Sequence, residues 1–277
     1  MNQVVDELDA KLAALRRDLA ATGGVMVAFS GGADSAFLLA AATDALGERA
    51  VAATGVSPSL PERELDDARA LAAELGARHV VVATHEGERP GYLRNGPDRC
   101  FFCKDELFEV LGPLAGAEGL ALAVGTNTDD LGDHRPGQRA AAAHGVLTPL
   151  VAAGLSKAEV RQASRRRGLR TADKPAAACL ASRIAYGVQV TPARLSRVER
   201  AEALLRSFGL AQVRVRDHGD LARVEVPPEA LAGLVEPERR ARLVAGLREL
   251  GFTWVTLDLE GFRSGSMNAK LTQGPAP

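Results

Sequence analysis

No run of about 18 uninterrupted apolar residues, the minimum for a bilayer-crossing helix, occurs in the chain, so no membrane span is expected. An excess of one charge is missing as well: 34 lysines and arginines stand against 35 aspartates and glutamates, for a formal net charge of −1. Such a chain has no overall field to attract nucleic acid, and only a local basic patch would do so. Cysteine is scarce, with Cys100, Cys103 and Cys179 the only three in 277 residues. An odd, small number argues against a disulfide framework and fits a reducing compartment. The first residues, Met1-Asn2-Gln3-Val4-Val5-Asp6, carry neither the basic nor the apolar region of a signal peptide, so the cytoplasm is the expected location. Solenoid repeats, low-complexity tracts and zinc-ribbon cysteine spacing are also absent.

What is present is an ordinary globular composition, 46% hydrophobic and 25% charged. Val4, Leu8, Leu12, Leu15 and Leu19 recur at helical spacing and stop at Gly23-Gly24. Val25–Phe29 is a short continuous apolar run, as in a buried parallel strand. Further strands are expected at 50–55, 79–83 and 120–124, with helices at 36–46, 61–75, 104–111 and 156–167. Strands alternating with helices predict an α/β fold with a mostly parallel sheet covered on both faces. The pattern changes near residue 190. Thr191-Pro192 opens a helix. Alternating segments at 213–216 and 222–226 predict half-exposed antiparallel strands, followed by a helix at 237–250 and a strand at 254–259. The expected organisation is a first domain over 1–188 and a small α+β domain over 189–277.

The strongest local signal lies between the first strand and the second helix, in Ser30-Gly31-Gly32-Ala33-Asp34-Ser35. Gly31 and Gly32 let a backbone approach a phosphate and present amides to it. The helix N-terminus favours an anion, and the hydroxyls of Ser30 and Ser35 can donate. Asp34 can hold Mg2+ against a pyrophosphate. No Gly-Lys-Ser/Thr closes the loop, which excludes a Walker A motif. A plain strand-to-helix turn is the structural alternative. A second element, Gly125-Thr126-Asn127-Thr128-Asp129-Asp130, also follows an apolar strand. Gly125 would admit a ligand near the backbone, and Asp129 and Asp130 would bind Mg2+ or a ribose; the alternative is an Asx-rich turn.

Cys100 and Cys103 form a Cys-x-x-Cys pair, and Cys179 lies in Lys174-Pro175-Ala176-Ala177-Ala178-Cys179-Leu180-Ala181-Ser182-Arg183. Zinc would need a fourth ligand, for which His85 and His134 are poorly placed. Three thiolates can instead hold three irons of a [4Fe–4S] cluster and leave the fourth open. Cys179 can alternatively act as a nucleophile, with Arg183 favouring its thiolate. Three unconnected buried thiols are the bland reading.

The loop at 30–35 resembles that of the PP-loop ATP-pyrophosphatases. Together with Gly125–Asp130, Asp133-His134-Arg135-Pro136-Gly137, the stretch 174–183 and Thr256–Asn268, it resembles the LarE family. These are ATP-dependent sulfur transferases of nickel-pincer nucleotide biosynthesis, and the resemblance runs over nearly the whole chain. It implies cleavage of ATP between the α- and β-phosphates, and a small pyridinium nucleotide as substrate, pyridinium-3,5-biscarboxylic acid mononucleotide. Each carboxylate would be adenylylated and converted to a thiocarboxylate. One branch of the family sacrifices the sulfur of a single cysteine, which corresponds to Cys179; another binds a [4Fe–4S] cluster on three cysteines and draws on sulfide or another sulfur donor. Cys100 and Cys103 place the chain in the cluster branch. The resemblance further implies a homo-oligomer, a hexamer being one form.

Arg214 and Arg216, two apart on a strand, share a face, and Arg263 lies on a glycine-flanked loop; guanidinium groups there suit the phosphate and carboxylates of such a substrate. A solvated strand face is the alternative for the first two. Glu199 and Glu202 are candidates for a metal ion or are simply a wet helix face. Competing functions are a PP-loop tRNA thiolation enzyme with a three-cysteine cluster, which the charge balance disfavours, and a non-catalytic nucleotide sensor.

Overall fold

Val25, Met26 and Val27 have no solvent exposure, and side chains along such a strand alternate between two faces. In a computed structural model, which describes residues 2–132, 136–175, 178–263 and 266–268, this strand sits inside a four-stranded parallel sheet. The strands are β1 (Val25–Ala28), β2 (Ala50–Val56), β3 (Arg78–Ala83) and β4 (Ala121–Val124), in the order β3-β2-β1-β4. Val25 is level with both Ala50 and Ala121. An isolated parallel bridge from Ala123 to Leu147 extends the sheet past β4.

The two faces carry separate cores. Val25, Val27, Ala50 and Ala52 pack with residues of α1 (Asn2–Ala21), α2 (Ala33–Leu46), α3 (Glu62–Glu74) and, further along the chain, Val160 and Ala163. Met26, Ala28, Val51 and Ala53 pack on the other side with Phe108, Leu111, Ala140 and Ala141. A sheet buried on both faces reads as continuous apolar runs, which is why β1 was legible as one.

The chain divides into two compact units, Met1–Glu86 with Cys100–Ala177, and Gly87–Arg99 with Ala178–Pro277. Segment 87–99 packs with the later residues because Asn95 donates to the carbonyls of Ala185 and Val188, at 2.9 Å each, and Arg99 to that of Ala181. The segment contains α4 (Pro90–Leu93); α5 (Arg99–Ala117) follows. The first unit continues with α6 (Pro136–Ala143), α7 (Pro149–Ala152) and α8 (Lys157–Arg166). Helix α8 opens on a capping box, in which Ser156 accepts from the Glu159 amide and Glu159 accepts from that of Ser156.

The second unit contains α9 (Pro192–Arg206), β5 (Arg214–Asp217), β6 (Leu221–Glu225), α10 (Leu231–Val235), α11 (Pro237–Glu249) and β7 (Trp254–Leu257). Thr191 caps α9 and Pro192 takes its first position, as the sequence predicts. Strand β6 pairs antiparallel with β5 and parallel with β7. The expectation of half-exposed strands fails here: Val215, Arg216, Asp217 and Glu225 are all buried, because Arg216 pairs with Glu225 within the sheet and Asp217 pairs with Arg194 and Arg197 of α9.

Candidate active site

The strand order reverses beside β1, since β2 lies on one side of it and β4 on the other. Ligands of open α/β sheets sit at such a switch point, outside the carboxyl ends of the strands. Both predicted loops are there: Ser30–Ser35 follows β1, and Gly125–Asp130 follows β4.

Helix α2 begins inside the first loop, earlier than the expected start at 36, which puts Asp34 and Ser35 on its first turn. Gly31 has φ +66°, a conformation that favours glycine. Gly32 caps the helix without a side-chain hydrogen bond, so the first-turn amides have no side-chain acceptor at the cap. The Ser30 and Ser35 hydroxyls lie 3.2 Å apart, and Ser35 donates to the Gly32 carbonyl. Beneath the loop, Thr54 on β2 donates to the Phe29 carbonyl at 2.6 Å. Its single proton being spent, Thr54 accepts from His79 Nε2 at 2.8 Å, which fixes the tautomer of that ring. Burial, aided by the charge of Arg69, holds the His79 pKa below the ordinary value.

Gly125 was expected to make room for a ligand. Instead, a Cβ there would lie 2.8 Å from the Ser35 amide nitrogen and 2.9 Å from the Asp34 carbonyl carbon. Glycine is needed because the second loop packs directly on the first turn of α2. Asn127, fully buried, accepts from the amides of Asp129 and Asp130 and organises that loop. Asp130 is buried and accepts from the Asn127 amide. Asp129 does not join it: its carboxylate accepts from the Lys157 amide at 2.6 Å, at the start of α8.

Asp34 and Asp130 are brought together. Burial first, and then the charge of Asp130, raise the Asp34 pKa, against the opposing pull of Lys157, Asn127 and Arg161. Oδ1 of Asp34 is buried and has no hydrogen-bond partner among the described residues. A buried carboxylate oxygen without a donor, beside a second carboxylate, has the chemistry of a divalent-cation ligand. The residues present thus fit Mg2+.

Sequence reasoning missed three cations near this loop. Lys174 Nζ lies 3.4 Å from the Gly31 carbonyl and pairs with Glu64 at 3.0 Å. Lys157 and Arg161 line a surface cavity of about 470 Å3 together with Asp129, Ala158 and Arg165. The only sequence signal for the latter pair is their helical spacing with Arg165, one turn apart each.

Cys100 and Cys103 lie near the start of α5, the helix that contains the expected helical residues 104–111. Three residues apart on a helix, they share a face. Cys179 caps a short 3-10 turn, Leu180–Arg183, in the second unit. All three thiols are free of disulfides, Cys100 exposed and Cys103 and Cys179 half-buried.

Arg183 is a buried cation with a buried partner. It is 3% exposed; its guanidinium pairs with Glu202 at 2.9 Å and donates to the carbonyls of Ala178 and Cys179. It shapes the loop that carries Cys179. Glu202 is correspondingly not a metal ligand: one oxygen takes Arg183 and the other takes Arg206, also at 2.9 Å. Glu199 is half-buried on the same helix. Arg216 is buried, paired with Glu225 at 2.7 Å, and donates to the Ser182 carbonyl and the Ser266 hydroxyl. Its charge is neutralised within the unit. In Glu225, burial opposes ionisation, but the Arg216 hydrogen bond and charge outweigh it and leave the pKa lowered. Arg214 stacks over Phe262, and Arg263 pairs with Glu260 on the surface. Asp133, His134, Arg135, Ala176, Ala177, Ser264 and Gly265, part of the expected motifs, lie outside the described residues.

No protein-family model matches the chain. Among curated proteins, it is 46% identical over 267 residues to an uncharacterized protein of Synechocystis, covering 96% of this chain and 100% of that one. It is 26% identical over 244 residues to an uncharacterized protein of Methanocaldococcus jannaschii, covering 87% and 91%. It is 39% identical over 254 residues, 90% of each chain, to the pyridinium-3,5-bisthiocarboxylic acid mononucleotide synthase of Lactiplantibacillus plantarum. At that identity and coverage, carried on a parallel α/β sheet with its glycine loop at the switch point, the chain is an enzyme of the LarE family.

Proposed function

We propose that this LarE-family sulfurtransferase uses ATP to adenylylate the carboxylates of pyridinium-3,5-biscarboxylic acid mononucleotide and replaces AMP with sulfur, once at each carboxylate. The observation that carries the reading is the buried, unpartnered carboxylate oxygen of Asp34 in the glycine loop, where the Gly125 loop packs on it. In the first half-reaction a substrate carboxylate oxygen bonds to the α-phosphorus and pyrophosphate leaves. Ser30, Gly31, Gly32 and Ser35 would hold the phosphates, while Asp34 and Asp130 would hold Mg2+, which neutralises the charge on the leaving pyrophosphate. Adenylylation converts a poor electrophile into one with a good leaving group. In the second half-reaction the carbonyl carbon gains a C–S bond and AMP departs.

A [4Fe–4S] cluster on Cys100, Cys103 and Cys179 would supply sulfide for that step. Arg183 and Arg216 support the Cys179 loop through its carbonyls. Substrate phosphate and carboxylate binding falls to the second unit, with Arg214 and Arg263 as contacts and Arg216 behind them. Assembly into a homo-oligomer, measurable by light scattering, belongs to the same reading. The test is to incubate the anaerobically reconstituted chain with Mg-ATP and the biscarboxylate nucleotide. Substrate-dependent pyrophosphate and a product bearing sulfur in place of carboxylate oxygen are expected. Pyrophosphate release with tRNA but not with the nucleotide would overturn the substrate assignment.

A further inference from the structure

Helix α8 carries Lys157, Arg161 and Arg165 at successive one-turn intervals, so their side chains share a face. All three line the cavity of about 470 Å3 whose remaining wall includes Asp129. The three cations are not equivalent. Arg165 is neutralised by a forked pair with Asp173, with Nη2 at 2.6 Å from Oδ1. Arg161 has a buried Nε donor without a hydrogen-bond partner among the described residues. A guanidinium N–H withdrawn from water and given no acceptor costs free energy unless a ligand completes it. The helix N-terminus itself is not the attraction, because its amides are taken by Asp129 and by Ser156.

The position of the cavity defines what enters it. Asp129 belongs to the same five-residue 3-10 turn, Thr128–Gly132, as Asp130, in the loop that packs through Gly125 on the backbone of Asp34 and Ser35. Asp129 also accepts from the Lys157 amide at 2.6 Å, which ties its loop to the start of α8. The cavity therefore adjoins the loop that packs against the phosphate loop, and offers planar, forked recognition of an oxyanion. We infer that Arg161, with Lys157, forms a subsite for the terminal phosphates of the nucleotide, the group that leaves as pyrophosphate.

This subsite rests on the ATP reading above, and the experiment separates the two. Mg-ATP, Mg-pyrophosphate and AMP are titrated calorimetrically into the wild-type chain, Arg161→Ala and Arg161→Lys. The expected result is that Arg161→Ala weakens Mg-ATP and Mg-pyrophosphate by about 10- to 100-fold, the worth of a charge-assisted hydrogen bond, and leaves AMP affinity unchanged. Arg161→Lys should recover part of the loss, since it keeps the charge and not the fork. Equal weakening of ATP and AMP, or no weakening at all, overturns the subsite while leaving the ATP reading intact. Failure of the wild-type chain to bind Mg-ATP overturns both. Thermal melting of the nucleotide-free variants controls for folding, and Arg161 is only half-buried, so both are expected to fold.

Discussion

At the scale of single residues, Asp34 shows a conflict between stability and function. Its pKa is raised in the native state by burial and by Asp130. A carboxyl whose folded pKa exceeds its unfolded value contributes stability below the unfolded pKa, about 3.9, and loses it as pH rises through the folded pKa. Near neutral pH the ionised group is thus a net cost that a bound cation relieves. Asp34→Asn is expected to melt at a higher temperature than the wild type without Mg2+, to gain nothing when Mg2+ and ATP are added, and to lose on the order of a hundredfold or more in pyrophosphate formation. Calorimetry and a coupled pyrophosphate assay check both arms. Gly125→Ala tests the junction beside it. The new methyl meets backbone rather than a flexible side chain, so a loss of about 1–3 kcal/mol on denaturant unfolding is expected. The loop residues were legible because their chemistry is local: glycines, hydroxyls and an acid between a strand and a helix. The burial of Arg183, Glu202 and Arg216 was not, since a charged side chain in sequence carries no mark of the partner that will neutralise it.

At the scale of elements, the sheet of the second unit is held from inside by Arg216 and Glu225, which pair diagonally between β5 and β6, with Arg223 and Ser266 attached to Glu225. Breaking one side of such a pair strands a buried charge. Arg216→Met alone is expected to cost about 3–5 kcal/mol, and the double change Arg216→Met with Glu225→Leu much less. Denaturant curves on the set would show this as strong non-additivity. The lowered pKa of Glu225 gives the pH signature: its contribution is complete above the ordinary glutamate value of about 4.3 and is lost as pH falls through the depressed native value. Sequence periodicity identified these strands, yet it left their alternating arginines to a substrate or to water and not to a buried partner, because alternation alone does not say which face is covered.

At the scale of the whole molecule, the parallel sheet and the change in pattern near residue 190 were readable from periodicity, whereas the inclusion of 87–99 in the second unit depends on Asn95 and Arg99, polar contacts with no sequence signature. The three thiols are likewise drawn from both units, Cys100 and Cys103 from the first and Cys179 from the second. This makes the source of sulfur a question about the intact chain. If a cluster delivers it, anaerobic reconstitution gives about four irons and four acid-labile sulfides per chain, and Cys100→Ser, Cys103→Ser and Cys179→Ser each remove both metal and thiocarboxylate product. Substrate-dependent pyrophosphate release survives in all three variants, because the phosphate loop lies apart from the cysteines in sequence and uses none of them. If Cys179 is instead consumed, Cys100→Ser and Cys103→Ser remain active for one round, and the mass of the spent wild-type chain falls by one hydrogen sulfide. Iron analysis and intact-protein mass spectrometry on the same samples distinguish these outcomes, and the cluster mechanism requires the first pattern with no change in the mass of the polypeptide.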